Sequence, residues 1–301
     1  MSERYLSPPR LTRGDTVALL TPASWAEDAW IAETAQRLTD WGWRVRLGGH
    51  VRNRLGYLAG SDADRLTDLH AAIRDPEVRA IVCAMGGCGS LRLVRVLDRD
   101  ALRADPKPIV GFSDITALHL LWQRAGVVSL HGAVAGNRAE TVRDLLLGGT
   151  PQVIAADRTQ YGAELTTGGR ATGWLVGGNL EMLARSVGVT EVPMAGHVLL
   201  LEINRAAGLG MVDRALTQLI DSGTLDGVTG VALGVLEGFD GYHDRGWNVL
   251  DVLSDRLGLL GVPILAGLPL GHTPNPVTVP LGVRCELDAD AGTLRCGPAL
   301  R

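Results

Sequence analysis

Short, almost continuous apolar runs alternate along this chain with longer stretches in which apolar residues recur every three or four positions. TVALLT (16–21) has the character of a buried strand, and residues 27–41 carry Trp30, Ile31, Thr34, Leu38 and Trp41 at helical spacing. RVRL (44–47) is a second strand, and residues 62–74 form a helix with Ser61 as its N-cap. AIVCAM (80–85) and PIVGF (108–112) are buried strands, 90–97 a short helix, and 114–125 an amphipathic helix. This alternation predicts βαβ units and a mainly parallel sheet. Between about 148 and 173 the chain turns rich in Gly and Thr, which predicts a linker over 151–173 with room for a short β-ribbon. Beyond it the pattern predicts strands near 198–202 and 229–235, helices near 211–222 and 247–257, and a β-rich tail (PILAG, VTVPLGVRCELD, GTLRC). The expected fold class is therefore α/β. A mainly parallel N-terminal domain (1–150) would carry a nucleophile elbow, and an α/β C-terminal domain (174–301) would end in the β-rich tail.

The join of strand 108–112 and helix 114–125 reads GFSDIT, which puts Ser113 on a sharp turn at the carboxyl edge of the sheet. The helix N-terminus beyond it offers free N–H groups and a positive dipole end, both of which favour an oxyanion. These are the physics of a nucleophile elbow, although Ile115 stands where the last Gly of G-x-S-x-G would be. Alternatively Ser113 only caps the helix. AMGGCGS (84–90) also follows a buried strand, and its glycines allow positive φ and close approach of backbone. It is either a plain strand–helix turn or a ligand loop; backbone N–H groups near Gly87 can form one half of an oxyanion hole and the N–H of Asp114 the other. A phosphate loop is a poorer match, because no Walker lysine follows and the spacing is not that of a dinucleotide fingerprint.

Seven histidines could supply a base. His119 lies mid-helix among leucines, as core residues do. His131 lies between a strand and Gly132, placed to line a cleft, and His272 lies in LPLGHTPNP, a loop stiffened by proline. A base of this kind needs a carboxylate to hold its tautomer and stabilise the imidazolium. Glu202 closes the apolar run HVLLLE, where a charge requires a partner: either that base, or an arginine such as Arg205 or Arg214.

Composition narrows the function. Charged residues make up 21% of the 301 positions and the formal net charge is −4, which does not suit a nucleic-acid partner. The cysteines, Cys83, Cys88, Cys285 and Cys296, show neither CxxC spacing nor a histidine cluster, so no zinc site is expected and a reduced, cytoplasmic chain is. MSERYLSPPRLTRGD has no apolar segment of a signal peptide, and no run of about 18 apolar residues suggests a membrane span.

Taken in order, GYLAGSDADRLTDL, GGCGSLRLVRVLD, KPIVGFSDITALHL, LHGAV, GWLVGGNLEML, LLLE…VDRALTQL and LPLGHTPNPVTVPLGV resemble the LD-carboxypeptidase family of serine peptidases. That family includes muramoyltetrapeptide carboxypeptidases and microcin C self-immunity peptidases. The resemblance runs from Gly14 to Asp288. It implies a triad of Ser113, Glu202 and His272 in a cleft between the two domains, a dimer, and acyl transfer with no metal or cofactor. It also implies a small peptide or aminoacyl small molecule as substrate. Met85 and Cys88 stand where members often carry Arg and Tyr, and Ile203 where Asp often follows the glutamate, which changes charge and shape beside the oxyanion hole. Met85, Cys88, His131 and Trp174 are thus the candidate substrate contacts; Trp174, like Trp25 and Trp247, is either a stacking platform or a packed residue. Three activities fit this reading: hydrolysis of an L,D or related amide, transfer of the acyl group to an amine as in a cyclising biosynthetic enzyme, or ligand binding without catalysis.

Overall fold

The structure, a computed structural model, describes residues 4–190, 193–206 and 208–301. Its first half runs β1 (Thr16–Leu20), α1 (Asp28–Asp40), β2 (Arg44–Leu47), α2 (Asp62–Arg74), β3 (Val78–Cys83), α3 (Arg99–Ala104), β4 (Ile109–Gly111), α4 (Thr116–Arg124), β5 (Ser129–His131) and α5 (Glu140–Leu147). The second runs β6 (Gln152–Ala155), β7 (Arg170–Asn179), α6 (Leu180–Ser186), β8 (His197–Asn204), α7 (Leu209–Asp221), β9 (Gly230–Glu237), α8 (Val249–Gly258) and β10 (Ile264–Leu268). It ends in β11 (Val279–Leu281), β12 (Arg284–Asp288) and β13 (Thr293–Cys296).

Two sheets result. The first has the order β11-β5-β4-β3-β1-β2 and is parallel except for β11. The second has the order β10-β9-β8-β7-β12-β13-β6, parallel over its first four strands and antiparallel over the rest. The central strands are apolar without alternation because helices cover both faces of a parallel sheet; every residue of β1 and of β10 is buried. The α/β class and the mainly parallel first sheet agree with the sequence.

Three details differ from the sequence pattern. The Gly/Thr-rich stretch 151–173 holds β6 and the start of β7, both of them strands of the second sheet. β11 comes from the second half of the chain yet completes the edge of the first sheet, pairing antiparallel with β5 from Val279↔His131 to Leu281↔Ser129. Residues 90–97 make only a 3₁₀ turn at Ser90–Arg92, because Ser90 turns its polar groups onto Asp114. No helix among the described residues is long and apolar enough to cross a membrane.

The order of the first sheet reverses between β3 and β1, the place where open α/β sheets bind ligands. The loops leaving these strands are tied together there. The Ser24 N–H donates to the Gly86 carbonyl at 3.0 Å, and the Cys88 N–H donates to Ser24 Oγ at 3.0 Å. The turn after β4 lies beside them.

Candidate active site

Ser113 has φ +61°, a left-handed conformation that a side-chain-bearing residue adopts at a cost of about 1 kcal/mol or more. It occupies the turn between β4 and α4. The turn is fixed from two sides. Asp114 is buried, its Oδ2 accepts the Ser90 N–H at 2.8 Å, and its carbonyl accepts Ser90 Oγ–H at 2.6 Å. From the second sheet, the Asn179 N–H donates to Thr116 Oγ1 at 3.0 Å. The carboxylate of Asp114 therefore clasps the glycine turn to the serine turn. Its removal in Asp114→Ala leaves a buried N–H unmatched, and a loss of about 1–3 kcal/mol in thermal or chemical denaturation is expected.

The glycine turn lies directly against the serine. A Cβ on Gly86 would stand 3.1 Å from the Phe112 carbonyl oxygen and 3.2 Å from Ser113 Cβ, a tight fit that glycine relieves where the two turns meet. Among the described residues, neither the Gly87 nor the Asp114 N–H meets a protein acceptor.

Glu202 lies near the end of β8, level with Asn179 of β7, and is fully buried. Its Oε2 is 2.7 Å from His272 Nδ1. No arginine pairs with it among the described residues; the Arg205 guanidinium instead stacks on Tyr242 at 3.5 Å. The His272 loop leaves β10 and closes on Glu202 through Gly271, at φ +87°, where a Cβ would lie 2.6 Å from Glu202 Cβ. Burial draws the His272 pKa down, but the hydrogen bond and charge of Glu202, with Glu237 behind, outweigh it and hold the imidazole above its ordinary value. Among the described residues the second oxygen of Glu202, Oε1, meets no partner of its own, so the imidazolium is the charge that best compensates this buried carboxylate.

Ser113 and His272 open onto one cavity of about 390 Å³. On its other side Ser113, with Gly87 and Asp114, borders a smaller pocket of about 190 Å³ that includes Asn179 and Asn204. The structure thus gathers Ser113, Asp114, Gly87, Met85, Glu202 and His272 around one place.

It does not gather the others. Cys88 is exposed and lines neither pocket. His131 is buried beneath Phe112, whose ring stands edge-on to it at 6.4 Å and packs on His272 at 5.1 Å. Burial, then the charges of His119 and His272, push the His131 pKa well below its ordinary value. His119, also buried, is brought down to about 4 by burial, against a 2.8 Å contact of its Nε2 with the Gly111 carbonyl. Trp174 begins the part of β7 that Asn179 ends, about 16 Å away at strand rise. It packs on Tyr5, centroids 5.2 Å apart, and under the Arg284 guanidinium. Trp25 donates to the Gly56 carbonyl, and Trp247 is exposed. Sequence reasoning missed Phe112 and Trp30, which both line the larger cavity. Phe112 stood in the quoted GFSD segment; Trp30 looked like one apolar position of a helix stripe. Among the described residues no group of three or more His, Cys, Asp or Glu could hold a metal ion.

Residues 17–132 match the LD-carboxypeptidase N-terminal domain and residues 172–287 the LD-carboxypeptidase C-terminal domain. The chain belongs to the LD-carboxypeptidase family. It is accordingly a serine peptidase. A putative carboxypeptidase of Streptomyces coelicolor is 40% identical over 311 residues, covering 95% of this chain and 94% of its own length. The murein tetrapeptide carboxypeptidase of Pseudomonas aeruginosa is 30% identical, covering 91% of this chain and 93% of its own. Among solved structures, the muramoyltetrapeptide carboxypeptidase of Oxalobacter formigenes superposes with a TM-score of 0.81 at 25% identity, over 95% of this chain and 100% of that one. A like fold in an MccF-like protein of Bacillus anthracis gives a TM-score of 0.84 at 24% identity, over 97% and 99%.

Proposed function

We propose that this LD-carboxypeptidase family member hydrolyses an amide bond in a small peptide through a Ser113–His272–Glu202 triad. The observation that carries this reading is the 2.7 Å contact of His272 with the buried Glu202, with His272 and the left-handed Ser113 facing one cavity. His272 Nε2 takes the hydroxyl proton as Ser113 Oγ attacks the carbonyl carbon. Negative charge develops on the carbonyl oxygen beside the N–H groups of Gly87 and Asp114. The C–N bond then breaks, the proton on His272 passes to the leaving nitrogen, and an ester remains on Ser113. Water, deprotonated by His272, cleaves that ester and frees the acid. Glu202 accepts from Nδ1–H throughout and balances the imidazolium.

The murein tetrapeptide named for the Pseudomonas relative is the first substrate to test. Mass spectrometry of its reaction with wild-type protein should show loss of the terminal residue, absent in Ser113→Ala. A cyclic product in place of two fragments would instead indicate transfer to an internal amine.

A pH dependence follows from His272. The base works only when neutral, and its pKa is held above the ordinary value of about 6.5. Activity is therefore complete at alkaline pH and declines as pH falls through the raised pKa. The acid limb of kcat/KM should have its midpoint above about 6.5. A midpoint well below that value would remove Glu202 as the partner.

A further inference from the structure

The two pockets that flank Ser113 differ in the groups they offer, and the triad orders them. In acyl transfer the leaving nitrogen receives its proton from the histidine, so the leaving group lies on the His272 side. The larger cavity includes His272, whereas the smaller pocket holds Ser113, Gly87 and Asp114 without it. The larger cavity is thus the leaving-group side and the smaller one, with Asn179 and Asn204, the acyl side.

No lysine or arginine lines the larger cavity. Trp30, Met85, Phe112, Ile115 and Val134, with several alanines, form most of its wall. Trp30 presents ring only, since its Nε1–H already donates to the Ala84 carbonyl at 2.8 Å. Thr34 is buried, and His272 is bound to Glu202 through Nδ1. Glu202, which holds His272 from behind, is negative. A free carboxylate seated here would shed water with no lysine or arginine on the wall to receive it, which is unfavourable. An uncharged apolar substituent would instead replace water on the walls, and about 390 Å³ suffices for one aromatic ring and its linker.

We infer that this enzyme prefers a leaving amine that carries an uncharged apolar group over one that carries a free carboxylate, and that Met85 sets this preference from the wall of the cavity beside Ser113. The inference rests on the triad reading above for the order of the two pockets. Met85 is half-buried on that wall, so a longer side chain there can reach into the cavity.

The test uses three amides of one murein tripeptide acyl group, with D-alanine, D-alaninamide and benzylamine as leaving amines. Wild-type kcat/KM should rank benzylamide above D-alaninamide above D-alanine, with at least about tenfold between the ends, the effect of one apolar group correctly seated. Met85→Arg should raise the D-alanine value about tenfold or more and lower the benzylamide value, by supplying the missing charge. Wild-type preference for D-alanine over D-alaninamide would overturn the inference, as would an unchanged ranking in Met85→Arg. Calorimetric titration of Ser113→Ala with N-benzylacetamide and N-acetyl-D-alanine reads the cavity without turnover. Only the former should bind, and equal binding of the two would overturn the inference as well. Binding of N-benzylacetamide with no cleavage of any amide would leave the cavity assigned and sink the triad instead.

Discussion

Ser113→Ala should abolish peptide hydrolysis, with kcat falling on the order of 10⁶-fold, the loss seen when a triad nucleophile is removed. The size follows from the roles acting as a unit: without Oγ no ester forms, and His272 and Glu202 have nothing to activate. A companion variant separates chemistry from folding. Ser113 is held at φ +61°, where glycine is at ease and serine is not. Ser113→Gly should therefore be as inactive as Ser113→Ala yet melt no lower than wild type. A residue kept for stability would behave in the opposite way. Retention of more than about one per cent of activity in either variant, far above the residue's expected loss, would dismiss Ser113 as nucleophile.

Glu202→Gln should lower kcat about 10⁴-fold with the fold intact, the scale found when a triad carboxylate becomes an amide. The amide can offer an N–H where Nδ1–H needs an acceptor, so the imidazole flips its tautomer or loses its hold. The sign of the accompanying pH shift is fixed. Glu202 raises the His272 pKa against burial, which lowers it. With that charge gone burial is opposed only by the smaller effect of Glu237, and the acid limb of the residual activity should move to lower pH than in wild type. A smaller rate with an unmoved acid limb would assign Glu202 to packing rather than to the imidazolium.

The sequence pattern reached the site unevenly, and the reasons are local. Ser113 was legible because an apolar strand runs straight into an amphipathic helix there, and Glu202 because a carboxylate closes an otherwise apolar strand. His272 stood out only by its proline-rich loop; that this loop lies on Glu202 depends on Gly271, 69 positions along the chain, and no local pattern encodes it. His131 seemed a cleft residue because Gly132 follows it, but Phe112 covers it. Trp174 shares a strand with the site, yet the length of that strand carries it to the far end. In the fold, β11 escaped notice as part of the first sheet because a three-residue strand shows no sign of which edge it will join.

That edge strand has a consequence for the birth of the molecule. Until Val279–Leu281 is made, β5 presents an open row of N–H and C=O groups in an otherwise assembled sheet. At about 5–20 residues per second, the ribosome needs on the order of ten seconds or more to travel from His131 to Val279. If the first half folds within that interval, it bears an unpaired strand edge until β11 arrives, the kind of flank to which other chains add. Cutting the gene between its two halves would make that flank permanent.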